Sequence, residues 1–283
     1  MGRRPVGRTR RGPDLRARLL DLLAGLPYRA VACSGGVDSL TLAAAAHRAA
    51  PDTTLVVHSV TPAVPAAATA RVLGTAATEG WDLRTVRSRE FEDEGYLANP
   101  RNRCYVCKSH LYDAMGDLVA VAGGRHVLLS GANADDLGEY RPGLQAAAEA
   151  GVRHPFVEVG ATKADVRALA RELGLPHADL PASPCLASRL YTGTAVTPAR
   201  LHAVEVGEAL LTARTGVAVV RCRLRQDDVR IEVGAADRDR VPPDVVSAVL
   251  AAMRAVDPGI RTAALDDEPY RPGRAFTLTP VPR

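Results

Sequence analysis

Ser34-Gly35-Gly36-Val37-Asp38-Ser39 stands between an apolar run and an Ala-rich stretch of helical pattern. Paired glycines let a backbone approach a ligand closely, and the amides that open a helix point their positive ends outward. A phosphate is therefore the natural guest of this turn, with Ser34 and Ser39 adding hydroxyl donors. The turn has neither the Lys-Ser/Thr ending of the common nucleotide loop nor the three-glycine spacing of the dinucleotide fingerprint. Asp38, set among phosphates, calls for a cation, and magnesium is the expected one; alone, it is equally an acid favoured by the helix dipole. His58 and Ser59 close the next apolar run, where a sheet of this kind meets adenosine. Asn133, Asp135 and Asp136 follow a later run, as metal ligands or as orienters of Lys and Arg.

A second set of residues carries sulfur. Cys104 and Cys107 form Cys-x-x-Cys, and Cys185 lies far downstream in Ser-Pro-Cys-Leu-Ala-Ser-Arg. The pair alone reads as half a zinc site, a redox couple or coincidence. No second pair and no spaced histidines complete a zinc site. Three thiolates match a cubane iron-sulfur cluster with one iron free of protein. Cys185 sits in a polar loop near Arg189, a setting that favours thiolate. Cys33 and Cys222 fall within apolar runs and read as small core hydrophobes.

The elements that must position these groups follow from periodicity. Helical patterns over residues 15–23, 38–49, 66–78 and 104–121 alternate with strand-length apolar runs over 28–33, 54–60, 83–86 and 126–130. That order predicts an α/β fold with a doubly wound parallel sheet, whose ligands gather at the carboxyl ends of the strands. Thr162 and Asp165 have the spacing of a capping box for a helix to residue 173. The Pro-, Ala- and Ser-rich run 176–193 marks a border. Beyond it, Thr197-Pro198 opens a helix to about residue 213, followed by strands over 217–224 and 229–233 and a helix over 243–255. The expected organisation is a disordered basic tail (1–14), a nucleotide-binding domain (15–185) and a smaller C-terminal α+β domain (186–283) for substrate binding and oligomerisation.

At 47% hydrophobic and 24% charged over 283 residues, the chain is neither disordered throughout nor a coiled coil. No apolar window is long enough to span a membrane, and no apolar stretch follows the N-terminal arginines, so the expected location is cytoplasmic without membrane partners. The formal charge of +4 resides in the tail: residues 1–18 hold seven Arg against Asp14, leaving 29 basic and 31 acidic residues elsewhere. Such a body offers no basic nucleic-acid surface, and three Phe and one Trp make no stacking platform.

Ser-Gly-Gly-x-Asp-Ser after an apolar strand resembles the PP-loop of enzymes that split ATP between its α and β phosphates. With Asn-Pro-Arg-Asn-Arg-Cys-Tyr-Val-Cys-Lys (99–108), the run 131–143, the run 174–189 and the segments Arg-Cys-Arg-Leu-Arg and Arg-Ile-Glu-Val within 221–233, the chain resembles the LarE family over roughly residues 14–235. The family makes a nickel-pincer nucleotide cofactor. The resemblance implies an adenine nucleotide α-hydrolase-like fold and ATP-dependent sulfur transfer to a pyridinium mononucleotide bearing two carboxylates. ATP adenylates a carboxylate, magnesium and Ser34, Gly35, Gly36, Asp38, Ser39, His58, Ser59, Asn133 and Asp136 serve the nucleotide, and sulfur displaces AMP. The sulfur comes from Cys185 itself, which ends as dehydroalanine, or from a [4Fe-4S] cluster on Cys104, Cys107 and Cys185. All three thiols are present, which favours the cluster. Arg221 and Arg223 alternate onto one strand face as planar forks for the substrate anion, with Arg189 beside them and Glu232 in the catalytic group. Relatives point to a homo-oligomer. The rival expectations are a tRNA-thiolating enzyme, an amide-forming synthetase of the NAD or GMP type, and a non-catalytic nucleotide or iron-sulfur sensor.

Overall fold

A computed structural model describes residues 15–138 and 141–276, so the expected tail over 1–14 lies outside the described residues. In chain order the elements are α1 (Leu15–Ala24), β1 (Arg29–Ala32), α2 (Val37–Ala49), β2 (Thr54–Ser59), α3 (Ala66–Glu79), β3 (Asp82–Val86), α4 (Glu94–Leu97), α5 (Arg103–Val121) and β4 (Val127–Ser130). They continue with α6 (Pro142–Glu149), α7 (Pro155–Glu158), α8 (Lys163–Glu172), α9 (Pro198–Thr215), β5 (Val220–Arg225), β6 (Asp228–Val233), α10 (Pro243–Val256) and β7 (Thr262–Leu265). The four strands of the first half form a wholly parallel sheet in the order β3-β2-β1-β4. Every residue of β1 is buried, because helices cover both faces of a parallel sheet and leave no polar side to alternate with. α8 starts at the expected capping box, Thr162 accepting from the Asp165 amide and Asp165 from the Thr162 amide.

The second half is a three-stranded sheet, β5-β6-β7, with β5 and β6 antiparallel. Its apolar face, Cys222, Leu224, Val229 and Ile231, joins Leu201, Val204, Val249 and Met253 of α9 and α10 in one core. That core also takes in Ala63 and Tyr96 from the first half, so the two sheets are linked by packing and by hydrogen bonds from Leu186 N to the Ala63 carbonyl (2.8 Å) and from Ala66 N to Glu205 Oε1 (2.6 Å). The strand expected from residue 217 begins at Val220, because Gly216 ends α9 in a left-handed conformation and the chain needs a turn before it can pair. β7 was not expected; its four residues, Thr-Ala-Ala-Leu, carry little strand propensity and are placed by parallel pairing with β6.

Candidate functional site

The turn between β1 and α2 lies at the carboxyl edge of the parallel sheet. Ser39 Oγ accepts from the Ser34 amide (3.0 Å) and donates to the Gly36 carbonyl (3.1 Å), which cinches the turn into a ring. Gly36, at the N-cap of α2, has no side-chain partner, so the first amides of the helix are left to an anionic guest. Two glycines make the turn possible. Gly35 has φ +78°, and a Cβ there would lie 2.6 Å from the Ala68 carbonyl oxygen. A Cβ on Gly131 would lie 2.9 Å from the main chain at Asp38 and Ser39, which puts the loop after β4 directly against the turn. Gly35→Ala must both adopt a left-handed conformation, at about 1–3 kcal/mol, and displace backbone. The expected result is at least a roughly tenfold weaker ATP dissociation constant by calorimetry; unchanged affinity would separate the turn from the nucleotide.

Lys163, at the first position of α8, places its Nζ on Asp38 Oδ2, while its amide donates to Asp135 Oδ2 (3.0 Å). The other Asp38 oxygen, Oδ1, is buried without a hydrogen-bond partner. A buried carboxylate oxygen left open beside a phosphate-binding turn fits a divalent cation, and Asp38 is the residue that would hold magnesium. Asp136 accepts from the Asn133 amide (3.0 Å) and pairs with Arg141 (2.8 Å), so this acid pair braces the turn through its neighbours.

His58 is fully buried. Its Nδ1 donates to the Cys33 carbonyl (2.8 Å) and its Nε2 accepts from the Thr69 hydroxyl (3.0 Å). Both ring nitrogens are thus used in tying the end of β1 to α3, which braces the turn. Ser59, half-buried, pairs with the Ser88 hydroxyl (2.8 Å). Burial, first among the causes, lowers the pKa of His58, His126, His154 and His177. Below about pH 6.5 the unfolded chain binds protons that these imidazoles refuse, so stability is full above that value and is lost as pH falls. The melting temperature is expected to drop between about pH 7.5 and pH 5.5; a level profile by scanning calorimetry would count against four neutral imidazoles.

Cys104 and Cys107 lie three residues apart at the start of α5, and Cys185 precedes a single 3-10 turn, Leu186–Arg189. Burial and then the Cys185 thiol push Cys104 upward; burial pushes Cys107 up to about 12, with Cys185 and Cys104 adding to it against Lys108. The three sulfurs are therefore electrostatic neighbours. Partial burial disfavours the Lys108 ammonium, yet Tyr112 and the three thiols together hold its pKa above the ordinary lysine value. Burial and the same thiols, Cys185 before Cys107, raise the Tyr96 hydroxyl. Among the described residues no three His, Cys, Asp or Glu side chains are grouped so as to hold a metal ion. The expected iron-sulfur ligands come from two places, Cys104 and Cys107 from one helix and Cys185 from a loop fixed separately from it.

The fixing residue is Arg189, only 4% exposed. It grips Glu208 of α9 with two nitrogens (3.0 and 2.9 Å) and donates to the carbonyls of Pro184 (2.7 Å) and Cys185 (3.2 Å). Its donors hold the thiol loop, so the expected substrate contact would require it to leave Glu208. The loop is also tied to the first sheet. Leu186 bonds to Ala63, Gly35 presses on Ala68, and the phosphate turn and the thiol loop consequently flank the same segment 63–68.

Arg221 and Arg223 share the polar face of β5, as alternation predicts, and both are buried. Arg223 donates to Glu232 Oε2 (3.0 Å) and to the Ser188 (2.9 Å) and Arg271 (3.2 Å) carbonyls. Arg221 donates to the Val220 (2.7 Å) and Ala182 (3.1 Å) carbonyls and, among the described residues, has no carboxylate ion pair. Glu232 is fully buried between Arg223 and Arg274 (3.2 Å). Burial raises its pKa against both guanidiniums. In this position it sets Arg223 and does not face an open site.

Comparison with known proteins gives the arrangement its kinship. No family model matches the chain. The chain is 39% identical over 203 residues to the uncharacterized protein slr1717 of Synechocystis sp., covering 72% of this chain and 75% of the other. It is 32% identical over 219 residues to the pyridinium-3,5-bisthiocarboxylic acid mononucleotide synthase of Lactiplantibacillus plantarum, covering 77% of this chain and 79% of that one. The chain belongs to the LarE family. The tRNA(Ile)-lysidine synthase of Nocardia farcinica is 34% identical over 226 residues, 75% of this chain and 65% of the other. This LarE-like chain is thus a PP-loop, ATP-dependent enzyme, and none of its described helices is long and apolar enough to cross a membrane. The residues that sequence reasoning missed in it are Lys163, Glu208 and Arg274. Lys108 and Tyr96 were in or beside a quoted motif, but nothing local marks them as neighbours of Cys185.

Proposed function

We propose that this LarE-family chain activates a carboxylate of a pyridinium dicarboxylate mononucleotide with ATP and replaces one of its oxygens by sulfur. The observation that carries the reading is the convergence on segment 63–68 of a phosphate-binding turn and a loop bearing Cys185, with a buried arginine, Arg221, free of carboxylate partners among the described residues. A carboxylate is a poor electrophile; attack of its oxygen on the α-phosphorus expels pyrophosphate and leaves an acyl adenylate, from which AMP departs readily. The amides of the turn and Ser34 and Ser39 take the pyrophosphate. Magnesium at Asp38 supplies charge neutralisation when bound. Lys163, already on Asp38, adds a cation to the same place.

Sulfur enters through Cys185. Its sulfur, giving up the thiol proton, attacks the acyl carbon and displaces AMP; loss of the Cys185 Cα proton then breaks the Cβ–S bond, leaving the product thiocarboxylate and a dehydroalanine. Donor and acceptor balance without an external oxidant or reductant. Incubation with ATP, magnesium and the dicarboxylated nucleotide is expected to yield AMP, pyrophosphate and a thiocarboxylate, with a protein about 34 Da lighter. Iron and sulfide in anaerobically purified protein, without the mass loss, would move the sulfur source to a cluster. AMP release that follows tRNA and ignores the pyridinium nucleotide would overturn the proposal.

A further inference from the structure

The segment after β7 lies beyond the quoted motifs, and it closes over the polar face of the second sheet. Its main chain is pinned to the edge of β6 by Asp266 N to the Ile231 carbonyl (2.8 Å) and Tyr270 N to the Val233 carbonyl (2.9 Å). The Arg271 carbonyl accepts from Arg223, and Arg274 bridges Glu232 and Asp266 Oδ1 (2.9 Å). At its far end Thr192 N donates to the Ala275 carbonyl (3.1 Å), and the guanidinium carbon of Arg103, next to Cys104, lies 5.5 Å from the Phe276 ring centre. The strap therefore runs from the arginine pair to the start of the helix that carries Cys104 and Cys107.

Its one aromatic residue over the arginines is placed on both of them. The Tyr270 ring centre lies 5.1 Å from the Arg221 guanidinium carbon and 5.9 Å from that of Arg223. A ring face attracts cations and costs little rotamer freedom. Arg221 needs such a hold, since its hydrogen bonds go to two main-chain carbonyls and no carboxylate among the described residues fixes it. A carboxylate in the place of Tyr270 would hold both guanidiniums more strongly but would neutralise the charge that an anionic substrate needs. An aromatic ring orients both and leaves the charge of Arg221 in force, Arg223 being paired with Glu232 already.

We propose that Tyr270, carried on the 266–276 strap, is a positioning residue of the substrate site: it sets Arg221 and Arg223 as a fork for the anionic groups of a flat, dicarboxylated ring, with Arg274 holding the strap in place. This rests on the substrate class proposed above. The test titrates the full chain with pyridine-3,5-dicarboxylate and, separately, with ATP, by calorimetry. Wild type binds both; Tyr270→Leu binds the dicarboxylate roughly tenfold more weakly with ATP affinity unchanged; Tyr270→Phe, which keeps the ring face, restores dicarboxylate affinity. Arg274→Lys, which leaves the ring, keeps a cation beside Glu232 and gives up one arm of the bridge to Asp266, weakens the dicarboxylate in the same selective way and serves where Tyr270→Leu fails to fold. Equal dicarboxylate affinity in wild type and Tyr270→Leu overturns the assignment, as does a parallel loss of ATP affinity, or of dicarboxylate affinity in Tyr270→Phe. A wild-type protein that binds ATP and not the dicarboxylate removes the substrate reading itself, and this inference with it.

Discussion

Cys185→Ala is expected to abolish thiocarboxylate formation, by at least about a thousandfold, while AMP and pyrophosphate continue to form. The separation of the two half-reactions follows from where the parts are held. Adenylation needs the phosphate turn, Asp38 and the substrate carboxylate, and none of these touches the Cys185 side chain through any bond described above. The thiol loop is held by its own contacts: Arg189 to the Pro184 and Cys185 carbonyls, and Leu186 N to Ala63. All three use main-chain atoms around residue 185, so removing the sulfur leaves the loop in place. Burial of the side chain is partial, and the change to Ala removes only one sulfur from the edge of the second core, a loss of modest stability. In single turnover with the dicarboxylated nucleotide, the variant should release a stoichiometric amount of AMP, or of acyl adenylate that hydrolyses slowly, and give no sulfur product by mass spectrometry. Full sulfur transfer by Cys185→Ala would exclude this thiol as donor. Cys104→Ala and Cys107→Ala are expected to retain transfer, because on the direct route their sulfurs are neighbours and not donors; loss of transfer in both together with that in Cys185→Ala would instead indicate a shared cluster.

What could be read in the sequence has a common physical character. The alternation of apolar runs and helical patterns, the capping box at Thr162 and Asp165, and the shared face of Arg221 and Arg223 are set by residues within a few positions of one another, and the structure reproduces them. What escaped is set by pairs distant in the chain. Lys163 and Asp38 are 125 residues apart, and Arg274 and Glu232 are 42 apart. No local pattern distinguishes such a lysine from any other residue opening a helix. His58 illustrates a different limit. A polar residue closing an apolar strand is an attractive ligand contact, but β2 is covered on both faces, so the ring had to find partners inside, and the Cys33 carbonyl and Thr69 hydroxyl supply them. The same reasoning applies to the cysteines. Spacing placed Cys104 and Cys107 on one helix turn, but only the loop contacts of Arg189 and Leu186 decide where Cys185 stands relative to them.

Arg223→Met is expected to destabilise the protein by about 3–5 kcal/mol, because it strands half of the charge compensation of a fully buried carboxylate. Glu232 has no solvent access and two cationic partners, Arg223 and Arg274. Methionine matches the stem of arginine and keeps the packing against Tyr270 and β6, so the effect reports the charge and not a cavity. At roughly 2–4 °C per kcal/mol, a fall of roughly 6–20 °C in Tm follows. The pH dependence identifies its origin. Burial already places the pKa of Glu232 above the ordinary value of 4.5, so the folded state holds a proton more tightly than the unfolded chain. Its favourable contribution is complete below the unfolded value and is lost as pH rises through the folded one. Removing a guanidinium raises the folded pKa further and widens that window. The gap in Tm between wild type and Arg223→Met should therefore be largest near neutrality and should close as the solution is acidified and Glu232 takes up its proton. A gap that stays constant with pH would assign the loss to packing, and the double variant Arg223→Met with Glu232→Gln decides between the two: if the buried charge is the cause, removing it recovers most of the stability that the single substitution lost.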